Sequence, residues 1–202
     1  MARARRSNGQ DTETRDALLD AAERLMLDEG YAAVTSRRVS NEAGVNAGLV
    51  YYYFGTMDEL FIAVFRRRAQ WMYEQQAVAL STDQPLWSLW SLIHDQPNTA
   101  LNLEFLALGN HRKAVKAEVA EYSRKYRIQQ LEALSGVLEG YGLDPELWPP
   151  VSIVILMSGI SRFLVMEEAY DLDMGHTETI GIVERLIAEL EGPRRVPAPA
   201  RA

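Results

Sequence analysis

Apolar residues recur every three or four positions along most of the chain, which is the period of an α-helix. Leu18, Ala21, Leu25 and Met26 begin this pattern, and no stretch shows the strict alternation of a strand. Helices are predicted at about 12–29, 36–44, 46–53, 56–80, 86–94, 99–108, 112–139, 150–170 and 177–190. The pattern therefore predicts an all-α protein.

Turn and cap signals divide this pattern into domains. Gly44 separates two short helices, and Thr56 with Glu59 has the spacing of a capping box at the start of a long helix. The predicted organisation is a three-helix DNA-binding domain behind a basic arm, then a larger helical domain for ligand binding and dimerisation, then a disordered Pro/Ala-rich tail. Their ranges are 1–56, 57–192 and 193–202.

Composition removes several function classes. The 202 residues include no cysteine and three scattered histidines, so no metal or other cofactor is predicted. No phosphate-binding glycine loop, zinc-protease motif or nucleophile elbow occurs, and we do not expect an enzyme. The N-terminus lacks a signal-peptide core, and polar residues interrupt the apolar stretch 151–166. A cytoplasmic protein with no membrane partner is predicted.

The charge is distributed unevenly. The formal net charge is −7, yet residues 1–70 contain ten basic and ten acidic residues, so the excess acid lies in residues 71–202. Basic residues at the N-terminal end are clustered, at Arg3, Arg5 and Arg6 and again at Arg37 and Arg38. An acidic body behind a neutral, locally basic end would orient the approach to DNA.

Residues 35–54, TSRRVSNEAGVNAGLVYYYF, are predicted to form two helices joined at a glycine, with three tyrosines on the second. Such a helix-turn-helix places its second helix in the DNA major groove. If Val50 and Phe54 face inward, Gly48, Leu49 and Tyr52 point outward, with Ala47, Tyr51 and Tyr53 on the flanks. The predicted DNA-binding residues are Thr35, Ser36, Arg37, Arg38, Asn46, Ala47, Gly48, Leu49, Tyr51, Tyr52, Tyr53 and Thr56.

The alternative is that these tyrosines belong to the core of an ordinary helical domain. Three consecutive residues on a helix cannot all face one way, so at least one tyrosine must be exposed.

The segment from Leu18 to Leu60 resembles the TetR/AcrR family of bacterial transcriptional regulators. The resemblance covers about a quarter of the chain. The matching positions are the AAERLMLDEGY start, Thr35, Arg37, Ala43, Gly44, Val45, Gly48, Tyr51, Tyr53, Phe54, Glu59 and Leu60. It implies a homodimer of nine- or ten-helix chains, a helix-turn-helix made by the second and third helices, an effector pocket, and dimer contacts through the last two long helices.

Two positions depart from the family pattern. The family often has a lysine near the start of the fourth helix, where this chain has Gly55, Thr56 and Met57. Ala47 replaces a longer polar residue, so few base hydrogen bonds are expected from the recognition helix. We therefore expect more reliance on Arg37, apolar contacts and DNA shape.

The C-terminal domain is rich in aromatic and methionine side chains, which suit a pocket for an apolar or lipid-like effector. The predicted ligand-binding residues are Trp87, Trp90, His94, Phe105, Tyr122, Tyr126, Met157 and Arg162. The alternative for each aromatic is ordinary core packing. Asn102, Glu104 and His111 are further polar candidates, with a satisfied or exposed side chain as their alternative. The helices at about 150–170 and 177–190 are the predicted dimer interface, unless their apolar faces are buried within one subunit.

These features predict a ligand-responsive homodimeric repressor that binds a palindromic double-stranded DNA operator and is released by a small molecule. The first alternative is a helical protein that binds an apolar ligand and has weak or lost DNA binding. A second is a regulator controlled by a protein partner.

Overall fold

The structure is a computed structural model that describes residues 2–94 and 96–195, with the backbone alone at residues 2–10 and 96. Nine α-helices, one short 3-10 helix and no strand form this described part. The helices are α1 (Ala2–Glu29), α2 (Ser36–Glu42), α3 (Gly48–Phe54), α4 (Met57–Leu80), α5 (Pro85–Ile93), α6 (Gln96–His111), α7 (Lys113–Gly140), α8 (Pro150–Glu168) and α9 (His176–Glu191). The 3-10 helix Tyr31–Ala33 follows α1. The predicted all-α fold is confirmed.

The predicted helices are all present, and the main difference lies at the N-terminus. Helix α1 begins at Ala2, whereas the apolar pattern predicts a start near Thr12. Residues 2–10 contain no proline and several arginines, so nothing in their backbone chemistry stops a helix, although no apolar face indicates one. The side chains of Arg3, Arg5 and Arg6 lie outside the described residues, as does the part of the predicted disordered tail beyond residue 195.

The chain divides into two compact units. The described residues of unit 1 lie in 2–71 and 100–123, and those of unit 2 lie in 72–94, 96–99 and 124–195. Unit 1 therefore continues beyond the predicted DNA-binding domain 1–56, because the apolar face of α4 packs into the same core as α1. The functional boundary at residue 56 stays a prediction.

Unit 1 has a core built mainly by α1, α4 and the C-terminal half of α6. Its buried apolar side chains include Leu18, Leu19, Met26, Val39, Val50, Leu60, Phe61, Val64, Phe105, Leu108 and Val115. Two surface ion pairs, Arg24 with Glu42 and Arg38 with Glu29, connect α1 to α2. Each contributes little by itself, but both restrict the position of α2 against α1.

Unit 2 has a separate core to which α5, α7, α8 and α9 contribute. Its buried side chains are Leu86, Trp87, Leu89, Trp90, Leu134, Leu138, Val154, Met157, Val183 and Ile187. The Glu191 carboxylate accepts hydrogen bonds from the backbone amides of Leu86 and Trp87, 2.7 and 3.1 Å away, and so connects the end of α9 to the start of α5.

Candidate nucleic-acid interface

The turn between α2 and α3 is defined by a cap at one end and a glycine at the other. Thr35 caps α2, since its Oγ1 accepts a hydrogen bond from the Arg38 backbone amide at 3.3 Å. Gly44 follows α2 with a φ of 68°, a left-handed conformation that glycine adopts without strain. The buried Val39 on α2 anchors this turn to the core of unit 1.

Helix α3 presents one face to the core and the opposite face to solvent. Val50 and Phe54 are buried, as the helical period predicts. Tyr52 is 72% exposed and Tyr51 is 51% exposed, which are high values for aromatic side chains on a short helix. Ordinary core packing therefore does not explain these two tyrosines.

Two other α3 side chains are half-buried: Leu49 is less exposed than the helical period suggests, whereas Tyr53 lies on the flank as predicted. Leu49, predicted to point outward, is half-buried and packs against the core of unit 1 because it adjoins Val50 on the helix surface. Tyr53 is also half-buried, and its hydroxyl donates a hydrogen bond to Asp11 Oδ1 of α1 at 3.0 Å. Partial burial raises the pKa of Tyr53, and the Asp11 carboxylate raises it further.

The N-terminal end of α3 is small and open. Asn46, predicted to cap the third helix, accepts a hydrogen bond from the Gly48 amide at 2.9 Å through its side-chain oxygen. Ala47 and Gly48 are exposed and carry no bulk, so a DNA backbone or base edge can approach this end of the helix closely.

The start of α4 is acidic, although Thr56 at this end is one of the predicted DNA-binding residues. The predicted capping box is confirmed, because the Thr56 amide donates to Glu59 Oε2 at 3.0 Å and the Glu59 amide donates to Thr56 Oγ1 at 3.1 Å. Glu59 also restricts Gly55, whose φ is 72° and where a Cβ would lie 2.5 Å from Glu59 Oε2. The Glu59 carboxylate already occupies the amide at the start of α4, and Asp58 adds a second negative charge. The first turn of α4 therefore disfavours the binding of a phosphate.

The two arginines of α2 differ in their surroundings. Arg38 forms a two-pronged contact with the Glu29 carboxylate, with Nη1 2.8 Å from Oε2, and this contact raises the pKa of Arg38. Arg37 is exposed, and no ion pair of its side chain occurs among the described residues. Ser36 is half-buried beside it at the first position of α2. The cation best placed to meet a phosphate is therefore Arg37.

The predicted ligand-binding residues do not form one group. Phe105 and Tyr122 belong to unit 1, where each makes an edge contact with Phe65 and where the Tyr122 hydroxyl donates to the Ala69 carbonyl. Trp87, Trp90 and Met157 belong to the core of unit 2.

Three more of the predicted ligand-binding residues lie in unit 2. His94 stacks on Trp90 with 4.9 Å between ring centroids and an interplanar angle of 7°. Tyr126 is half-buried on α7, and Arg162 lies on α8. Arg162 is exposed as a whole, but partial desolvation of its guanidinium lowers its pKa, and the positive charge of Arg127 lowers it further.

Glu104 and His111, considered above for ligand contacts, instead have partners in unit 1. The Tyr31 amide donates a hydrogen bond to Glu104 Oε2 at 2.6 Å, and the Tyr31 ring lies against His111 with 6.0 Å between centroids. Both contacts connect α6 to the segment between α1 and α2. The satisfied-side-chain alternative therefore holds for Glu104.

Helix α8 carries exposed apolar residues that sequence reasoning did not separate from its buried ones. Val154, Met157 and Leu164 are buried, whereas Ile155, Leu156, Phe163 and Met166 are at least 44% exposed. Among the described helices, α8 is the one long and apolar enough to cross a membrane, with a mean hydropathy of 1.5. In this apolar window 22% of the helix is buried, and α8 contributes Val154 and Met157 to the core of unit 2. In the described residues no group of three or more His, Asp or Glu could hold a metal ion.

The capped turn, the anchored α3 and its exposed tyrosines define the class of helix-turn-helix DNA-binding domains. Residues 18–64 match the family model for bacterial regulatory proteins of the tetR family. This matched segment makes up about a quarter of the chain, and over it the chain is similar to that family.

One relative is similar to this chain in sequence, and two solved structures are similar to it in fold. The chain is 41% identical over 58 residues to the HTH-type transcriptional regulator BetI of Rhizobium meliloti (strain 1021), a match that spans 29% of each chain. It is similar in fold to the fatty acid degradation regulator FadR of Bacillus halodurans, with a TM-score of 0.66, 21% identity and coverage of 91% and 97%. The multidrug binding protein EbrR complexed with imidazole gives a TM-score of 0.57, 23% identity and coverage of 93% and 98%.

Proposed function

We propose that this protein is a homodimeric transcriptional repressor that binds a palindromic operator and is released by a small molecule. The observation that carries the proposal is the exposure of Tyr51 and Tyr52 on α3, a helix that Val50 and Phe54 anchor to the core. Exposed aromatic hydroxyls on a rigid helix suit contacts with phosphate oxygens and base edges. The family is one of transcriptional regulators, and we propose a non-enzymatic, cytoplasmic role for this chain.

The proposed DNA contacts form two groups. Ala47, Gly48 and Tyr52 approach the bases in the major groove, where the Ala47 methyl can touch thymine methyl groups. The second group lies at the edge of this surface and contacts phosphates, which positions the helix without reading sequence. It consists of Arg37, Tyr51, Thr35 and their neighbours. We expect shape readout to matter because few side chains on α3 can hydrogen-bond to bases.

The proposed dimer forms through α8 and α9. Val151, Ile155 and Phe163 follow one stripe of α8 at four-residue spacing, with Gly159 between them, and all three are exposed. Ile182 and Leu186 form the matching exposed pair on α9. These five residues and Gly159 are called the apolar stripe. An exposed apolar surface of this kind is typical of an interface between subunits.

The proposed effector acts by population shift. A ligand releases DNA if it binds more tightly to a conformation in which the two recognition helices are wrongly spaced for the operator. EbrR, similar in fold, is described as a multidrug binding protein, which supports a small-molecule effector for this chain.

A mobility shift with the DNA flanking the gene, titrated with salt, tests the proposal. A discrete complex whose affinity falls with salt supports an operator-binding protein. The competing function, a ligand-binding protein with weak or lost DNA binding, is favoured by the acidic first turn of α4 and by the Asp11 carboxylate bonded to Tyr53. Diffuse, purely salt-driven binding to any DNA would support that competitor.

A further inference from the structure

The interior of unit 2 is unusually polar for a helical core. Apart from Ser40, the buried polar residues of the described chain lie in unit 2, namely Gln76, Gln84, Asn98, Thr99, Gln130, Ser161 and His176. Most have partners; Gln84, for example, donates to the carbonyls of Glu191 and Pro193. Among the described residues of unit 2, two buried side-chain atoms have none, Gln76 Oε1 and His94 Nδ1. Such orphaned atoms are uncommon in protein interiors and require an explanation.

Gln76 and Gln130 lie at nearly the same level of α4 and α7. The side-chain amide of Gln129 donates to the Tyr73 hydroxyl at 3.1 Å, which pins the two helices together. Gln76 is three residues beyond Tyr73 and Gln130 is one beyond Gln129, so their axial positions differ by about 6 Å at most, given the helical rise per residue. Each glutamine is only 3% exposed. Both glutamines are therefore buried at a similar level of the two helices.

The end of α5, which carries His94, reaches the same region through α8. Ser161 of α8 donates to the Ile93 carbonyl at 2.8 Å, and Thr99 donates to the same oxygen at 3.2 Å. Arg162, next to Ser161, is close enough to Arg127 for the two charges to interact. Arg127 is one helical turn before Gln130 on α7. These contacts bring α4, α5, α7 and α8 together in one section of unit 2.

We propose that Gln76 and His94 are recognition residues of an effector site in this section of unit 2. The effector is a small, largely apolar molecule that carries at least one N–H or O–H group. Its donor group bonds to Gln76 Oε1, while His94 Nδ1 donates or accepts according to its tautomer. This inference rests on the proposed function only in naming the ligand an effector.

The unpaired oxygen Gln76 Oε1 determines which ligands the site prefers. A hydrocarbon of the same shape would leave Gln76 Oε1 without a partner in a buried site, whereas a donor-bearing ligand satisfies it. Sites built to hydrogen-bond a ligand reject analogues that lack the polar group much more strongly than they reject small changes in apolar bulk. This chemistry replaces the purely apolar or lipid-like effector that composition alone suggests.

Indole and indene are matched probes for this test, because they share a planar bicyclic frame and differ in one ring N–H group. A planar frame suits the parallel Trp90 and His94 rings. Binding to the full-length protein is measured by calorimetry and by thermal shift, for the wild type, Gln76→Leu and Gln76→Met. Gln75→Leu, at the neighbouring half-buried position, is the control.

We expect wild type to bind indole at least about tenfold more tightly than indene. Both Gln76 variants should reduce that preference to less than about twofold and raise the melting temperature of the free protein by about 3 °C, because no buried oxygen then lacks a partner. Gln75→Leu should leave the preference unchanged. Equal affinity of wild type for the two probes, or binding of neither, would overturn the proposal.

A structural role for Gln76 has a different signature. If an ordered water satisfies the oxygen, the Gln76 variants lower the melting temperature and leave the indole preference as it is, which also refutes the proposal. The same variants are tested by operator mobility shift, where wild-type affinity is expected. If the wild type does not bind the operator, the proposed repressor function is refuted. Calorimetry would still decide separately whether the protein prefers indole to indene.

Discussion

Units 1 and 2 are both helical, but they use their polar and apolar residues in opposite ways. In unit 1 the core is apolar, and arginine–carboxylate pairs such as Arg66 with Glu118 and Arg67 with Asp20 connect helices at the surface. In unit 2 the surface carries the apolar stripe, and glutamine and histidine side chains lie inside. Surface ion pairs contribute modestly but fix geometry, as a rigid DNA-reading unit requires. Exposed apolar residues and buried polar ones are instead typical of surfaces and cavities that bind something.

The largest expected effect comes from breaking the apolar stripe of unit 2. The double change Ile155→Glu and Leu186→Glu places like charges on both helices of the proposed dimer surface, so we expect a loss of at least about a hundredfold in dimer affinity. Operator affinity should fall with it, because a single subunit reaches only one half-site. Sedimentation velocity gives the oligomeric state. Val78→Glu, at an exposed apolar position on α4, is the matched control and should remain dimeric.

A second prediction separates the two arginines of α2. Arg37→Ala should weaken operator binding about tenfold and reduce the salt slope by about one, since it removes a cation available to phosphate. Arg38→Ala should have a smaller effect because Glu29 already holds this guanidinium. Mobility shifts over a range of salt concentrations measure both quantities. Equal losses for the two variants would show that the Glu29 contact does not decide which arginine meets DNA.

A third prediction concerns the link between α6 and the segment after α1. Glu104→Ala removes the carboxylate that accepts the Tyr31 amide, so we expect a loss of about 1–2 kcal/mol in the free energy of unfolding. Urea denaturation followed by circular dichroism measures it. Glu132→Ala, at an exposed position on α7, serves as a surface control. A Glu104 variant as stable as wild type would mean that water replaces the carboxylate at Tyr31 without cost.

The smallest expected effect is a gain. Asp11→Asn removes a negative charge beside Tyr53 while keeping a hydrogen-bond acceptor for its hydroxyl. Operator affinity should rise about two- to fivefold at low salt, and the gain should shrink as salt screens the charge. Fluorescence anisotropy with labelled operator DNA is sensitive enough for this difference. A decrease in affinity would instead mean that the Asp11 carboxylate positions Tyr53 for DNA.

The two units differ in how much of their structure can be predicted from the sequence. The turn at Gly44, the Thr56–Glu59 box and the inward Val50 and Phe54 were predictable, because caps, glycine and helical period act over a few residues. The Glu29–Arg38 and Asp11–Tyr53 contacts were not, because they join residues on different helices. In unit 2 the period identifies α8 as apolar but cannot say which of its faces meets the core, so Val154 and Ile155 look alike. Phe105 and Tyr122 were predicted to share a ligand pocket with the aromatic residues of unit 2, because the helical period does not show which core a buried side chain joins.

The most direct test of the central claim, that the exposed tyrosines of α3 bind the operator, compares two exposed tyrosines from different units. Tyr51→Ala on α3 and Tyr170→Ala in unit 2 are measured by mobility shift against the operator, with circular dichroism and sedimentation to verify folding and dimerisation. We expect Tyr51→Ala to lose at least about tenfold in affinity with unchanged helicity, from the loss of a phosphate hydrogen bond and its ring contacts, and Tyr170→Ala to match wild type. Unchanged operator affinity in Tyr51→Ala would contradict the account.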